Sequence, residues 1–251
     1  MRIANPIVQL TAATSVILVA VTTNVAQAQI QRLPPTQVVV DEEVLSALTN
    51  TTHDYFQLAR ARFVAGDRNS AAQHLRTATA VLRLEAARAS GEGKVALEAS
   101  IQELQRLTLA VENGQFRSVD TLQQAFARAH FALASHHCAM CAGRCGCSVS
   151  ADDKCCCKRA ATADPHELVR AGQELNAAAI HLQRGALWAG EEIDEETLAA
   201  VEASQRTADK LIQQDGASPS EIQRAIHALH GNLEGLTGRK IMLAPPKVED
   251  D

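Results

Sequence analysis

Seven cysteines fall between residues 138 and 157 of this 251-residue chain, and they are all the cysteines it has. The segment reads His136-His137-Cys138-Ala-Met-Cys141-Ala-Gly-Arg-Cys145-Gly-Cys147. A polar stretch from Ser148 to Lys154 follows, then Cys155-Cys156-Cys157. It therefore holds a C-x-x-C, a C-x-C and a triple cysteine. Thiolate-rich clusters select soft or borderline ions such as copper(I) and zinc(II). Four sulfurs, or sulfurs with imidazole, satisfy tetrahedral zinc. Cys138, Cys141, Cys145 and Cys147 would form one arm of such a site. Cys155, Cys156 and Cys157 would form the other, with His136 or His137 as auxiliary ligand. Gly143 and Gly146 would turn the backbone around the centre, and residues 148–154 would fold the second arm onto the first. Arg144, Lys154, Lys158 and Arg159 would partly offset the thiolate charge.

The same cysteines have an oxidised reading. In an exported protein they meet a compartment where thiols become disulfides. Adjacent cysteines bridge one another only with strain, so Cys155–Cys157 would pair with three of the four upstream cysteines. An odd count leaves one thiol over. The segment would then be a staple, and the chain a helical interaction or chaperone-like scaffold of the cell envelope. Both readings stand at this point. A haem attachment motif is absent, because the histidines precede the C-x-x-C and Ala142 follows it.

Across 138–157 the segment resembles a metallothionein, with dense cysteine, a C-x-C and adjacent cysteines. The setting among helices is also similar in idea to bacterial copper-storage bundles. There, cysteines line several helices; here they gather in one joint. The donor types make copper(I) the first expectation and zinc the second, since soft ligands suit copper and zinc accepts mixed sulfur and imidazole; the ion would be held for sequestration, buffering or sensing.

Elsewhere the sequence names no reaction. It carries no nucleophile motif, phosphate-binding loop or zinc-protease pattern, so the reading is a non-enzyme. His227 and His230 are spaced i, i+3 with no third ligand. His74, His130 and His181 read as residues on helix flanks. His136 and His137 read as lying at a helix C-terminus, where a cation suits the dipole. Trp188 reads as a packing residue.

The elements that must position the cysteines are helices. Aromatic residues make up only 3% of the chain, which is poor for strands. Leu45, Leu48, Thr52, Tyr55, Phe56, Ala59 and Phe63 recur at helical steps, and similar stripes follow. Gly66-Asp67, Ser90-Gly91-Glu92-Gly93 and Asn113-Gly114 separate them. Ser118, Asp164-Pro165-His166-Glu167, Asp194-Glu195-Glu196 and Ser218-Pro219-Ser220-Glu221 are helix starts. The pattern predicts seven helices, near 42–65, 70–89, 94–112, 119–140, 165–189, 195–214 and 219–236, in an all-α multi-helix bundle.

The two halves also look alike. Gln73, Leu75, Ala78 and Leu82 recur as Gln173, Leu175, Ala178 and Leu182. Gln123, Ala125, His130 and Leu133 recur as Gln223, Ala225, His230 and Leu233. The expected organisation is a duplicated three-helix unit behind one N-terminal helix. The first half would span 42–137, the cysteine segment 138–160 and the second half 161–238, with a tail over 239–251.

The chain opens with Arg2, an apolar stretch densest over Val16–Val21, and Ala26-Gln27-Ala28. That order predicts a signal peptide over 1–28, cleaved to leave an extended leader at 29–41. The product would be periplasmic or secreted, without a transmembrane segment. The whole chain has a net charge of −5, and losing Arg2 with the signal makes it more acidic. An acidic protein lacks the basic surface that nucleic-acid phosphates require. The partners expected are a metal ion and, in the scaffold reading, a cell-envelope protein.

Overall fold

Helix punctuation in the sequence becomes helix ends in space. A computed structural model describes residues 42–146, 164–190 and 193–238, with side chains from Asn50 onward. The segments expected as signal, leader and tail, together with Cys147, Cys155, Cys156 and Cys157, lie outside the described residues. Among the described residues there are seven α-helices and no strand. They are α1 (Glu42–Val64), α2 (Arg68–Arg88), α3 (Gly91–Glu112), α4 (Val119–Cys145), α5 (Pro165–Ala189), α6 (Glu195–Ile212) and α7 (Pro219–Leu236). None is long and apolar enough to cross a membrane.

The capping residues do what their types dictate. Side chains of Asp67, Ser118 and Asp194 accept hydrogen bonds from the backbone N–H groups of Ser70, Thr121 and Thr197. Each satisfies a donor that the first turn leaves without an intrahelical partner. Asp164 accepts from the His166 N–H with Pro165 in the first turn. Glu167, three residues after the cap, pairs with Arg144 (2.7 Å) and Arg170 (3.3 Å).

Ser218 and Glu221 form a complete capping box at the start of α7. A hydrogen bond from Lys210 (2.7 Å), followed by the two Ser218 bonds, holds the Glu221 carboxyl down to about 2. Its folded value lies below the unfolded one. The stabilisation is therefore full above the ordinary carboxylate range and is lost as pH falls through about 2. The first turn of α7 should fray over that acid window. Amide exchange at residues 219–222, followed against pH in wild type and E221Q, checks this. The variant should already be frayed at neutral pH.

Helix α4 runs on past its expected end near residue 140. Gly143 stays helical, and the stop is Gly146, in the left-handed region at φ 66°, ψ 27°. A glycine inside a helix costs only about 1 kcal/mol relative to alanine. The surrounding Ala, Met, Cys and Arg residues carry the helix across it. Cys138, Cys141 and Cys145 consequently lie on a helix, and only Gly146 makes the turn that both glycines were expected to make.

Successive helices pack on one another, and the most extensive pairing is α4 with α5. Two apolar clusters result. One gathers Phe56, Leu75, Leu104 and Phe126 from α1–α4; the other gathers Phe131, Leu175, Val201 and Ile226 from α4–α7. Helix α4 is thus buried nearly all round. Gly185 on α5 makes that pairing close, since a methyl group there would land 2.5 Å from the Phe131 ring.

Burial repeats between the halves as the sequence pattern does. Leu75 and Leu175, Leu82 and Leu182, and Leu122 and Ile222 are all buried. So are Leu133 and Leu233, and Ser100 and Ser204. The caps Ser118 and Ser218 correspond as well.

Candidate metal centre

His136 and His137 sit well inside α4, not at its C-terminus, because the helix continues to Cys145. The dipole reading of these residues therefore fails. Both are 1% exposed. They face two carboxylates carried on the apolar stripes of neighbouring helices, Glu85 of α2 and Glu174 of α5, which are 3% and 1% exposed.

His137 Nδ1 donates to Glu174 Oε2 at 2.6 Å. His136 Nε2 lies 3.4 Å from Glu85 Oε2, without hydrogen-bond geometry. Arg88 bridges the two acids, with Nη1 2.9 Å from Glu85 Oε2 and Nη2 2.8 Å from Glu174 Oε1. Arg144 reaches Glu174 at 3.9 Å while bonding mainly to Glu167. Burial would raise the Glu174 carboxyl. The His137 hydrogen bond, with the charges of His137 and Arg88, outweighs that and holds it at about 2. Burial likewise opposes the charged form of Glu85, and His136, His137 and Arg88 together bring its pKa below the usual range.

A seam of imidazoles leads away from this cluster. The His137 and His181 rings stack at 5.4 Å with only 10° between planes. His181 Nδ1 meets His130 Nδ1 at 3.0 Å. His130 Nε2 meets His53 Nδ1 at 3.4 Å, where Trp188 Nε1 also donates. His130 and His181 were expected on solvated flanks, and the structure corrects this: both are buried. Burial first, then neighbouring positive charge, pushes both well below the normal imidazole range, so they are neutral. Their tautomers then follow in order. Trp188 can only donate, so His53 Nδ1 accepts. His130 must then carry its proton on Nε2, and His181 on Nδ1. His74, by contrast, is half-buried against Tyr55, and His227 and His230 are half-buried on α7.

The thiols point elsewhere. Cys138, Cys141 and Cys145 are buried and unbridged, and they belong to the apolar cluster shared with α5 and α7. Burial pushes the Cys138 thiol up to about 12, and it donates weakly to the Ile226 carbonyl. A thiolate there is strongly disfavoured. Cys145 behaves differently. A hydrogen bond from Cys141 lowers its pKa against the opposing effect of burial, and the Arg144 charge helps.

Of the nine candidate metal ligands read from the sequence, the structure describes five. It separates them into an imidazole pair facing carboxylates and a thiol set facing the core. Sequence reasoning missed His53, Glu85, Arg88 and Glu174. The signal for Glu85 and Glu174 was present: each carboxylate interrupts an apolar stripe, beside Leu82 and Ala86 or beside Ala171 and Leu175. Compared with known proteins, the chain matches no protein-family model, no curated protein and no solved structure.

Proposed function

We propose that this is an extracytoplasmic helical protein that binds a soft metal ion, copper(I) first and zinc second, through its cysteine segment. The observation that supports the reading is the pair Cys141 and Cys145. One turn apart on α4, they are buried, unbridged and hydrogen-bonded to one another, with the Cys145 thiol eased toward ionisation. Metal binding requires the thiolate, and of the described thiols Cys145 is the one lowered toward it. Cys138 is a core residue in this reading. The surrounding bundle keeps water and oxidants from the pair, which suits sequestration or buffering.

The test is copper(I) stoichiometry of protein purified anaerobically, measured against a competing chelator. Wild type should hold copper(I) at whole-number stoichiometry. The C141S/C145S variant should lose at least one equivalent while keeping its helical circular dichroism. Equal loading of the two proteins, or no loading of either under reducing conditions, would overturn the reading. Three disulfides in the native protein would establish the stapled scaffold in its place.

A further inference from the structure

The imidazole–carboxylate cluster calls for an explanation of its own. One carboxylate oxygen of Glu85 and one ring nitrogen each of His136 and His137 lie within 4.8 Å of one another. We propose that these three residues form a second metal site, an N,N,O centre for one borderline divalent cation such as zinc(II). It goes beyond the thiol reading and does not depend on it.

Four observations carry the proposal. First, the donor set fits. Two imidazoles and a carboxylate are a common protein ligand set for zinc, and imidazole suits several neighbouring transition metals. Second, the two ring nitrogens make no hydrogen bond. His136 Nε2 and His137 Nε2 are buried atoms with no hydrogen bond, and buried polar groups otherwise nearly always find one. Third, a supporting partner is built. Glu174 accepts the hydrogen bond from His137 Nδ1, which fixes the ring and, in the neutral imidazole, leaves the lone pair on Nε2. This carboxylate–imidazole arrangement is the usual support of a metal-binding histidine. Arg88 in turn steadies both carboxylates. Fourth, negative charge stands directly beside the imidazoles. Glu85 Oε2 lies 3.4 Å from His136 Nε2, and Glu174 Oε2 lies 2.6 Å from His137 Nδ1. A cation bound by the two rings would meet the Glu85 carboxylate.

The backbone also closes over the site. The N-terminal turn of α3 crosses α4 so closely that a Cβ at Gly93 would sit 3.2 Å from the His136 Cα. That contact fixes the His136 backbone and keeps bulk water away from its ring. The competing explanation is a proton, with His136 as imidazolium paired to Glu85. A proton needs no particular arrangement at His137 Nε2, whereas a metal ion needs both nitrogens.

Cobalt(II) titration distinguishes the two. In a chain with all seven cysteines changed to Ala, one equivalent of cobalt(II) should bind. Its visible spectrum should lack the thiolate charge-transfer band that a cysteine site gives. E85Q and H136Q should each weaken binding by more than about 100-fold, and E174Q by about 10–100-fold, the range for a residue that orients a metal-binding histidine. Circular dichroism monitors folding of each variant. Should the cysteine-free chain not fold, wild type serves, with zinc(II) added and the histidine ring nitrogens followed by NMR. The nitrogens of His136 and His137 should then move to metal-bound shifts, while those of His130 and His181 stay in place. No binding by a folded chain, binding indifferent to E85Q and H136Q, or ring nitrogens unmoved by zinc would each overturn the site. C141S/C145S should leave this cobalt binding intact, so failure of either metal reading is separable from failure of the other.

Discussion

Replacing Arg88 with Met is expected to destabilise the protein by about 3–5 kcal/mol, the range for removing one partner of a buried ion pair. The Arg88 side chain is 9% exposed, and it bonds two carboxylates that are 3% and 1% exposed. Its stem would be well replaced by Met; its charge would not. Glu85 would be left on the apolar face of α2 with only imidazoles beside it, and Glu174 on α5 with imidazole and the more distant Arg144 at 3.9 Å. The loss should appear as a lowered urea midpoint with an unchanged slope, as a pure stability change requires. The triple variant R88M/E85Q/E174Q should recover most of it, because no uncompensated charge then remains. Zinc should rescue R88M more than wild type, since a cation at Glu85, His136 and His137 replaces the missing positive charge. A loss below about 1 kcal/mol, the scale of exposed pairs, would mean that water reaches the cluster.

The second large effect is expected at Phe126. Phe56 and Phe126 stack with centroids 4.2 Å apart and planes 12° from parallel, and Trp188 meets Phe126 edge-on at 5.1 Å. Both phenylalanines are fully buried. Phe126→Ala removes the ring around which α1, α4 and α5 converge, for about 3–5 kcal/mol. The same void would open beside His130, which packs edge-on against Phe56 at 5.4 Å. Phe126→Leu, which keeps most of the volume, should cost under about 1.5 kcal/mol. Thermal unfolding of the pair, followed by circular dichroism, separates the cavity from the chemistry. Equal melting temperatures for the two variants would refute the packing account.

The helices were legible in the sequence because their ends are written in local chemistry. Ser118, Asp164, Asp194 and Ser218 cap where their types and positions say they should. The end of α4 was misplaced because Gly143 looks like a stop, and only the left-handed conformation of Gly146 identifies the true one. The imidazole seam was not legible. His130 and His230 occupy matching positions in the two halves, yet one is buried and the other half-buried. The cause is tertiary: α4 has neighbours on both sides, whereas α7 is packed on one. No one-dimensional pattern carries that information. Glu85 and Glu174 are a different case, since an acid within an apolar stripe is visible in the sequence and asks for a buried cationic partner. Grouping His136 and His137 with the cysteines followed adjacency along the chain. On a helix, adjacent residues point about 100° apart, and the structure sends the imidazoles toward Glu85 and Glu174 while the thiols turn to α5 and α7.

Helix α4 serves as a wall of both apolar clusters, and this bears on the order in which the molecule can be built. Synthesis delivers α1–α4 first. They can gather most of the cluster around Phe56 and Phe126 before α5 adds Trp188 to it. During that interval the other side of α4 faces water, with Phe131, Ala134, Cys138 and Cys141 all on it. The nascent chain therefore passes through a stage in which its thiols are most open to oxidation and its apolar surface most open to aggregation. Arrival of α5, with Gly185 against Phe131, ends that stage. The polypeptide that supplies the missing wall is also the one that seals Cys138 and Cys141.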